Sequence, residues 1–134
     1  MHMERYAVGL DFGTLSGRAL LVRLSDGAEI ASAVYEYPHG VMDDVFAPYP
    51  GISRRLPGDW ALQHPDDYIE VVCHTIPRLL ADTGVEPSAV IGLGIDFTAC
   101  SPLPVYKNGV PLCRNAAFAA DPHAYVKLWK HHAA

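Results

Sequence analysis

Apolar and polar positions fall into a clear order along the first hundred or so residues. Residues 6–11, 17–24 and 28–36 form three runs rich in Val, Leu, Ala and Tyr, each the length of a strand. Gly13 and Gly17 punctuate the first junction and Asp26-Gly27 the second, which predicts tight hairpin turns at both. The product is a three-stranded antiparallel meander. Residues 37–63 break this order, being rich in Pro, Gly, Asp and aromatics with no sustained period. A connection of that length inside a compact chain is functional or strongly packed.

Helical spacing begins near His64-Pro65, where Pro suits the first helical position and Asp66 and Asp67 favour the positive end of the dipole. Tyr68, Ile69, Val72, Ile76, Leu79 and Leu80 recur at helical intervals and predict one buried stripe. Pro77 predicts a kink and Thr83-Gly84 a C-terminal cap. Residues 90–96 are then almost continuously apolar, the signature of a fully buried strand beside the first. Residues 97–105 read as a turn-rich exit and Lys107-Asn108-Gly109-Val110 as another hairpin turn. Asp121-Pro122 opens a last short helix reaching Trp129.

Half of the 134 residues are hydrophobic and 19% are charged, enough apolar chain for a soluble domain with its own core. The net charge of −5, with no basic stripe, opposes a nucleic-acid or membrane-surface role. The apolar runs are shorter than a membrane span and no signal peptide opens the chain, so a cytoplasmic protein is expected. Cys73, Cys100 and Cys113 lack metal-type spacing and read as reduced thiols. His2, between two Met residues, carries no assigned function.

Candidate chemistry concentrates at the first hairpin, Gly9-Leu10-Asp11-Phe12-Gly13-Thr14-Leu15-Ser16-Gly17-Arg18. One carboxylate, Asp11, stands at the end of the first strand, where it can hold Mg²⁺ through hard oxygen ligation. Gly13 and Gly17 would let the backbone approach a ligand, while turn amides and the Thr14 and Ser16 hydroxyls can donate to phosphate oxygens. An ordinary tight turn explains the same residues, and the motif alone leaves both readings open. Neither a dinucleotide fingerprint nor a Walker loop is present, because the glycines lead into a strand and not a helix. Asp96 closes the later strand, either as a second metal-proximal carboxylate or as a cap on the following turn. His64 and His74 read as a helix-start and a surface residue, and His131-His132 lie too close to share one ion. Trp129, on a helical pattern, reads as core, and Cys100 as a small core residue.

The first hairpin, the strand Ile91-Gly92-Leu93-Gly94-Ile95-Asp96-Phe97-Thr98-Ala99-Cys100, the lead-in Trp60-Ala61-Leu62-Gln63-His64-Pro65-Asp66-Asp67-Tyr68 and the ending Leu128-Trp129-Lys130-His131-His132-Ala133-Ala134 together resemble the FGGY carbohydrate kinases. The resemblance covers essentially the whole chain. It implies an α/β, actin-like ATPase (ribonuclease-H-like) domain built on a mixed sheet with the antiparallel meander, of which residues 1–134 form the N-terminal part of the first domain. Family members are several times longer, so the catalytic base, the adenosine pocket and the second domain are expected beyond Ala134, and surface they would cover is expected to be exposed. The implied activity is ATP- and Mg²⁺-dependent phosphorylation of a ketopentose, L-ribulose to L-ribulose 5-phosphate. Asp11, Gly13, Thr14 and Ser16 then match the phosphate and Mg²⁺ side of the site, with Asp11 the metal residue. Thr98, Ala99, Cys100, Trp129 and Lys130 match the sugar side, and none of the residues present is the catalytic base. The isolated chain is expected to be inactive and to associate through its exposed surface. Two other classes stand beside this one: a non-catalytic half-domain that binds a metabolite or a protein, and a ribonuclease-H-type nuclease. The nuclease needs more clustered carboxylates than Asp11 and Asp96 supply.

Overall fold

A computed structural model describes residues 3–133; His2 lies outside the described residues. In chain order the strands are β1 (Tyr6–Phe12), β2 (Ser16–Arg23), β3 (Glu29–Glu36), β4 (Val45–Phe46), β5 (Arg54–Arg55), β6 (Leu62–Gln63), β7 (Val90–Phe97) and β8 (Val126–Lys127). One long helix, α1 (Pro65–Thr83), lies between β6 and β7. The described residues divide into two compact units, the first made of residues 3–37 and 68–97, the second of residues 38–67 and 98–133.

The first unit holds a four-stranded sheet in the order β3-β2-β1-β7. The meander is antiparallel, whereas β7 runs parallel to β1, with Leu10 beside Ile95 and Asp11 beside Asp96. Alternation sends Val8 and Leu10 of β1 and Gly17, Ala19 and Leu21 of β2 to one face, where they meet Leu79, Val72 and Ile76 of α1. Each such large apolar side chain contributes about 1.5–3 kcal/mol on full burial. The β2–β3 hairpin closes as its Asp26-Gly27 pair predicts, with Gly27 at φ 73° and the Arg23 guanidinium paired to Asp26 at 2.7 Å. That ion pair, with the Ala28 amide, holds the Asp26 carboxyl down at about 2.

Two expectations fail here. Ile69 is 54% exposed; the buried face of α1 passes instead through Val71, Thr75 and Leu79. Thr75 is admitted because its hydroxyl donates to the Val71 carbonyl at 2.7 Å, which satisfies a polar group inside the core. The strand β7 is in its expected place beside β1 but is exposed along nearly its whole length, since α1 covers β1 and β2 and stops short of it.

The second unit packs around Phe46, Leu62, Cys113 and Tyr125. The stretch of residues 37–63 is not strandless: it supplies β4, β5 and β6, with β4 paired to β5 and β6 to β8. The expected last helix is also absent. A single 3₁₀ turn, Pro122–Ala124, is capped by the Asp121 carboxylate accepting from the His123 amide, and β8 follows at once. Val126 and Leu128 have buried side chains, so alternation and not helical spacing governs this segment. The hairpin turn at residues 107–110 forms as expected, with the Tyr106 amide donating to Val110 at 2.8 Å.

Candidate functional site

The turn after β1 is fixed from both sides. The Gly13 amide donates to the Ser16 carbonyl at 2.9 Å, and the Tyr37 hydroxyl donates to the Gly13 carbonyl at 2.9 Å. The Tyr37 amide donates to the Leu15 carbonyl, tying the end of β3 to the same turn. The Gly13 amide is thus engaged within the hairpin, and the residue serves the turn sterically: a Cβ there would meet the Ser16 carbonyl at 3.2 Å. Gly17 departs from its expected role of admitting a ligand. The space its missing side chain leaves belongs to Val71 of α1, whose Cγ1 lies 2.5 Å from where a Cβ would sit.

On the sheet face opposite α1, Arg18, Asp11 and Asp96 form a row across β2, β1 and β7. They wall a groove of about 420 Å³ together with Leu20, over a floor of Gly9 and Gly94. Those two glycines are partners in the parallel register, and a Cβ on either would meet nothing within 4 Å. A ligand can therefore lie against bare backbone beside a row of two carboxylates and a guanidinium. One Asp96 oxygen, Oδ1, accepts from the amide of the adjacent Phe97, the last residue of β7, at 2.9 Å. The position of Asp96 beside Asp11 also gives the face two hard-oxygen donor groups, the donor type that Mg²⁺ selects. Asp11, exposed at the rim, fits that ion.

The expected sugar-side residues all lie in the second unit. Ala99 and Cys100 are exposed and Thr98 half-buried. Cys100 has φ 58°, a left-handed conformation sparsely populated by non-glycine residues and one that concentrates at ligand-binding positions. Cys100 is therefore not core. Neither is Trp129, which is 54% exposed in a turn after β8. Lys130 donates to the Asp43 carboxylate at 3.1 Å. His131 is structural: its Nδ1 accepts from the Ala61 amide at 3.1 Å and its ring packs edge-on against Trp60.

A cluster that the sequence reading missed lies in the same unit. His39, His64 and Asp67 bring three ligand-type atoms within 4.8 Å of one another. Their geometry opposes a metal. The two imidazoles are stacked, 4.2 Å apart and 15° from parallel, so their in-plane lone pairs do not converge on one ion. Both ring nitrogens of His39 are occupied, Nδ1 by Asp67 at 2.6 Å and Nε2 by the Pro48 carbonyl at 3.0 Å. His64 Nδ1 accepts from the Asp66 amide at 3.2 Å, which places its proton on the buried Nε2. Burial, and then the neighbouring His39, push the His64 pKa below its ordinary 6.5. His64 thus caps the first turn of α1 as a neutral ring. His-Pro at a helix start was the only sequence signal for it.

No family model matches the sequence. The chain is 52% identical over 130 residues to the ribulokinase of Mycolicibacterium smegmatis, matching 97% of this chain and 23% of that protein. It is 58% identical over 120 residues to the ribulokinase of Bacillus licheniformis, matching 90% of this chain and 21% of that protein. In structure it is similar to the xylulose kinase of Rhodospirillum rubrum, with a TM-score of 0.61 at 19% identity, over 96% of this chain and 21% of that one. The fold is therefore the α/β, actin-like fold of the sugar kinases. The chain spans between a fifth and a quarter of the length of the curated relatives it matches.

Proposed function

Because the chain belongs to the FGGY carbohydrate kinase family, we propose that it supplies the phosphate-facing part of an ATP-dependent kinase acting on a ketopentose, converting L-ribulose to L-ribulose 5-phosphate. The observation that carries this reading is the likeness to ribulokinases along nearly the whole chain. The hairpin geometry is consistent with it: the turn that carries Thr14 and Ser16 is held by backbone hydrogen bonds and by the Tyr37 hydroxyl, and it follows directly on the strand that carries the exposed Asp11.

In this reading Asp11 would hold Mg²⁺, which would supply positive charge beside the phosphate oxygens. The Thr14 and Ser16 hydroxyls donate to the phosphoryl oxygens, where charge accumulates during transfer. Thr98, Ala99 and Cys100 face the sugar, with Ala99 small enough for close approach to the backbone. Trp129 offers an apolar wall and Lys130 a cation beside it. The base that takes the proton from the sugar hydroxyl, and the adenosine pocket, come from the remainder of a longer protein. A cytoplasmic setting is part of this reading and rests on the likeness to sugar kinases. Among the described residues no helix is long and apolar enough to cross a membrane.

Two measurements test this. The 134-residue chain with L-ribulose and MgATP is expected to form no ADP above background, and sustained turnover would overturn the assignment of an inactive part. Substituted for the matching segment of a ribulokinase, it is expected to preserve activity. Asp11→Asn in that chimera should then lower kcat by about 10²-fold or more, as loss of a transition-state electrostatic contact does. A chimera that folds but tolerates Asp11→Asn refutes the phosphate-side role.

A further inference from the structure

Tyr37, the residue after β3, grips the candidate phosphate turn at two peptide units. Its hydroxyl donates to the Gly13 carbonyl at 2.9 Å and its amide to the Leu15 carbonyl at 2.9 Å. The ring is buried and lies edge-on to Tyr68 of α1, with centroids 5.6 Å apart. Tyr68 in turn lies edge-on to Phe12 of β1 at 5.7 Å. The first turn of the helix thus holds Tyr37 close to the strand that leads into the phosphate turn. All of these residues belong to the first unit.

These contacts decide how the turn's peptide planes face. Peptide bonds among the described residues are trans, and a trans peptide sets its N–H opposite its C=O. Anchoring the Gly13 and Leu15 carbonyls on Tyr37 therefore turns the N–H groups of Thr14 and Ser16 away from it. Tyr37 and Phe12 both pack on the helix side of the sheet, whereas Asp11, one residue before Phe12, alternates to the opposite face. The hydroxyl thus reaches Gly13 from the helix side and turns the Thr14 amide toward the side that carries Asp11. The ring alone would serve the packing. The hydroxyl adds the direction of one peptide plane.

We propose that Tyr37 is a positioning residue for the phosphate side of the site: its hydroxyl fixes the Gly13–Thr14 peptide plane, and with it the direction in which Thr14 meets a phosphate oxygen. Tyr37 touches no reacting atom and acts only through the turn. That the anion is a nucleotide phosphate rests on the kinase reading, while the hold of Tyr37 on the turn rests on the geometry alone.

Two measurements test the two parts. In the 134-residue chain, Tyr37→Phe keeps the ring against Tyr68 and removes the hydroxyl donor. The Gly13 amide, which bonds to the Ser16 carbonyl, is expected to exchange with solvent deuterium about tenfold faster, beyond any change at the amides of α1. In the ribulokinase chimera the same substitution is expected to raise KM for MgATP about tenfold and to leave KM for L-ribulose within about twofold. Thr75→Val, which removes a buried hydroxyl two helical turns beyond Tyr68, should lower the melting temperature and leave both KM values within about twofold. Unchanged Gly13 exchange, or unchanged KM values in a chimera that Asp11→Asn cripples, overturns the role of Tyr37 and leaves the kinase reading standing. An equal rise in KM for MgATP with Thr75→Val overturns it as well, because general loosening would then suffice. A chimera that tolerates Asp11→Asn sinks the kinase reading, and the phosphate role of Tyr37 with it.

Discussion

Gly17 and Val71 are pressed together: a Cβ built on the glycine would lie 2.5 Å from Cγ1 of the valine and 2.7 Å from Cγ2. The second strand of the candidate phosphate hairpin thus carries α1 directly on its backbone. Rigidity of the turn and packing of the helix are one feature, because Gly17 follows Ser16 immediately.

Gly17→Ala therefore forces strand and helix apart and should destabilise the chain by about 1–3 kcal/mol, the usual range for overpacking. Thermal unfolding measures it. Val71→Ala in the same chain opens the space again, so the double variant should be more stable than the two single losses summed. Simple additivity would place the strain elsewhere.

A second prediction concerns acid. The His64 pKa lies below its ordinary 6.5 because the ring is buried and faces His39. Below that pH the unfolded chain takes up a proton that the folded chain refuses, so stability falls as pH drops through about 6.5 and is indifferent to this group above it. His64→Gln keeps an acceptor near the Asp66 amide and removes the titration. The stability advantage of the parent over this variant should therefore shrink between about pH 8 and pH 5 in denaturant titrations. Parallel curves would show that His64 does not titrate differently on folding.

The cysteines provide a third. Cys73 and Cys100 are exposed, whereas Cys113 is fully buried in the second unit's core. Burial, and then the nearby Asp66, push the Cys113 thiol up to about 11, which suppresses the thiolate that reacts. A thiol-selective disulfide reagent should modify Cys73 and Cys100 in the native chain and Cys113 only after unfolding. Rapid native labelling of Cys113 would mean that the second unit opens readily.

Much of the first unit was legible in the sequence because its elements obey local rules. Asp26-Gly27 supplies a positive φ where the hairpin needs it, Pro65 starts α1, and Gly84 at φ 67° ends it. Legibility ended where burial depends on a partner. Residues 90–96 look like an interior strand, yet the side chains of Ile91, Leu93 and Ile95 stand in solvent. Ile69 fits the helical spacing but faces away from the sheet, while polar Thr75 is buried on its own hydrogen bond. Residues 121–129 held two competing periods in a short span, and pairing of β8 with β6 decided between them.

The candidate site divides in the same way. The sequence by itself determined the hairpin and its lone carboxylate, since these rest on residue types at fixed short spacings, and it carried the resemblance to the carbohydrate kinases. Only the tertiary structure decided that Gly17 serves the helix, that Asp96 stands beside Asp11, and that His39 is hydrogen-bonded to Asp67 and stacked on His64 in an arrangement that opposes a metal. Each of those facts joins residues that are distant in the chain. Local propensity encodes turns and strands, whereas the occupant of a given space is set by the element that packs there.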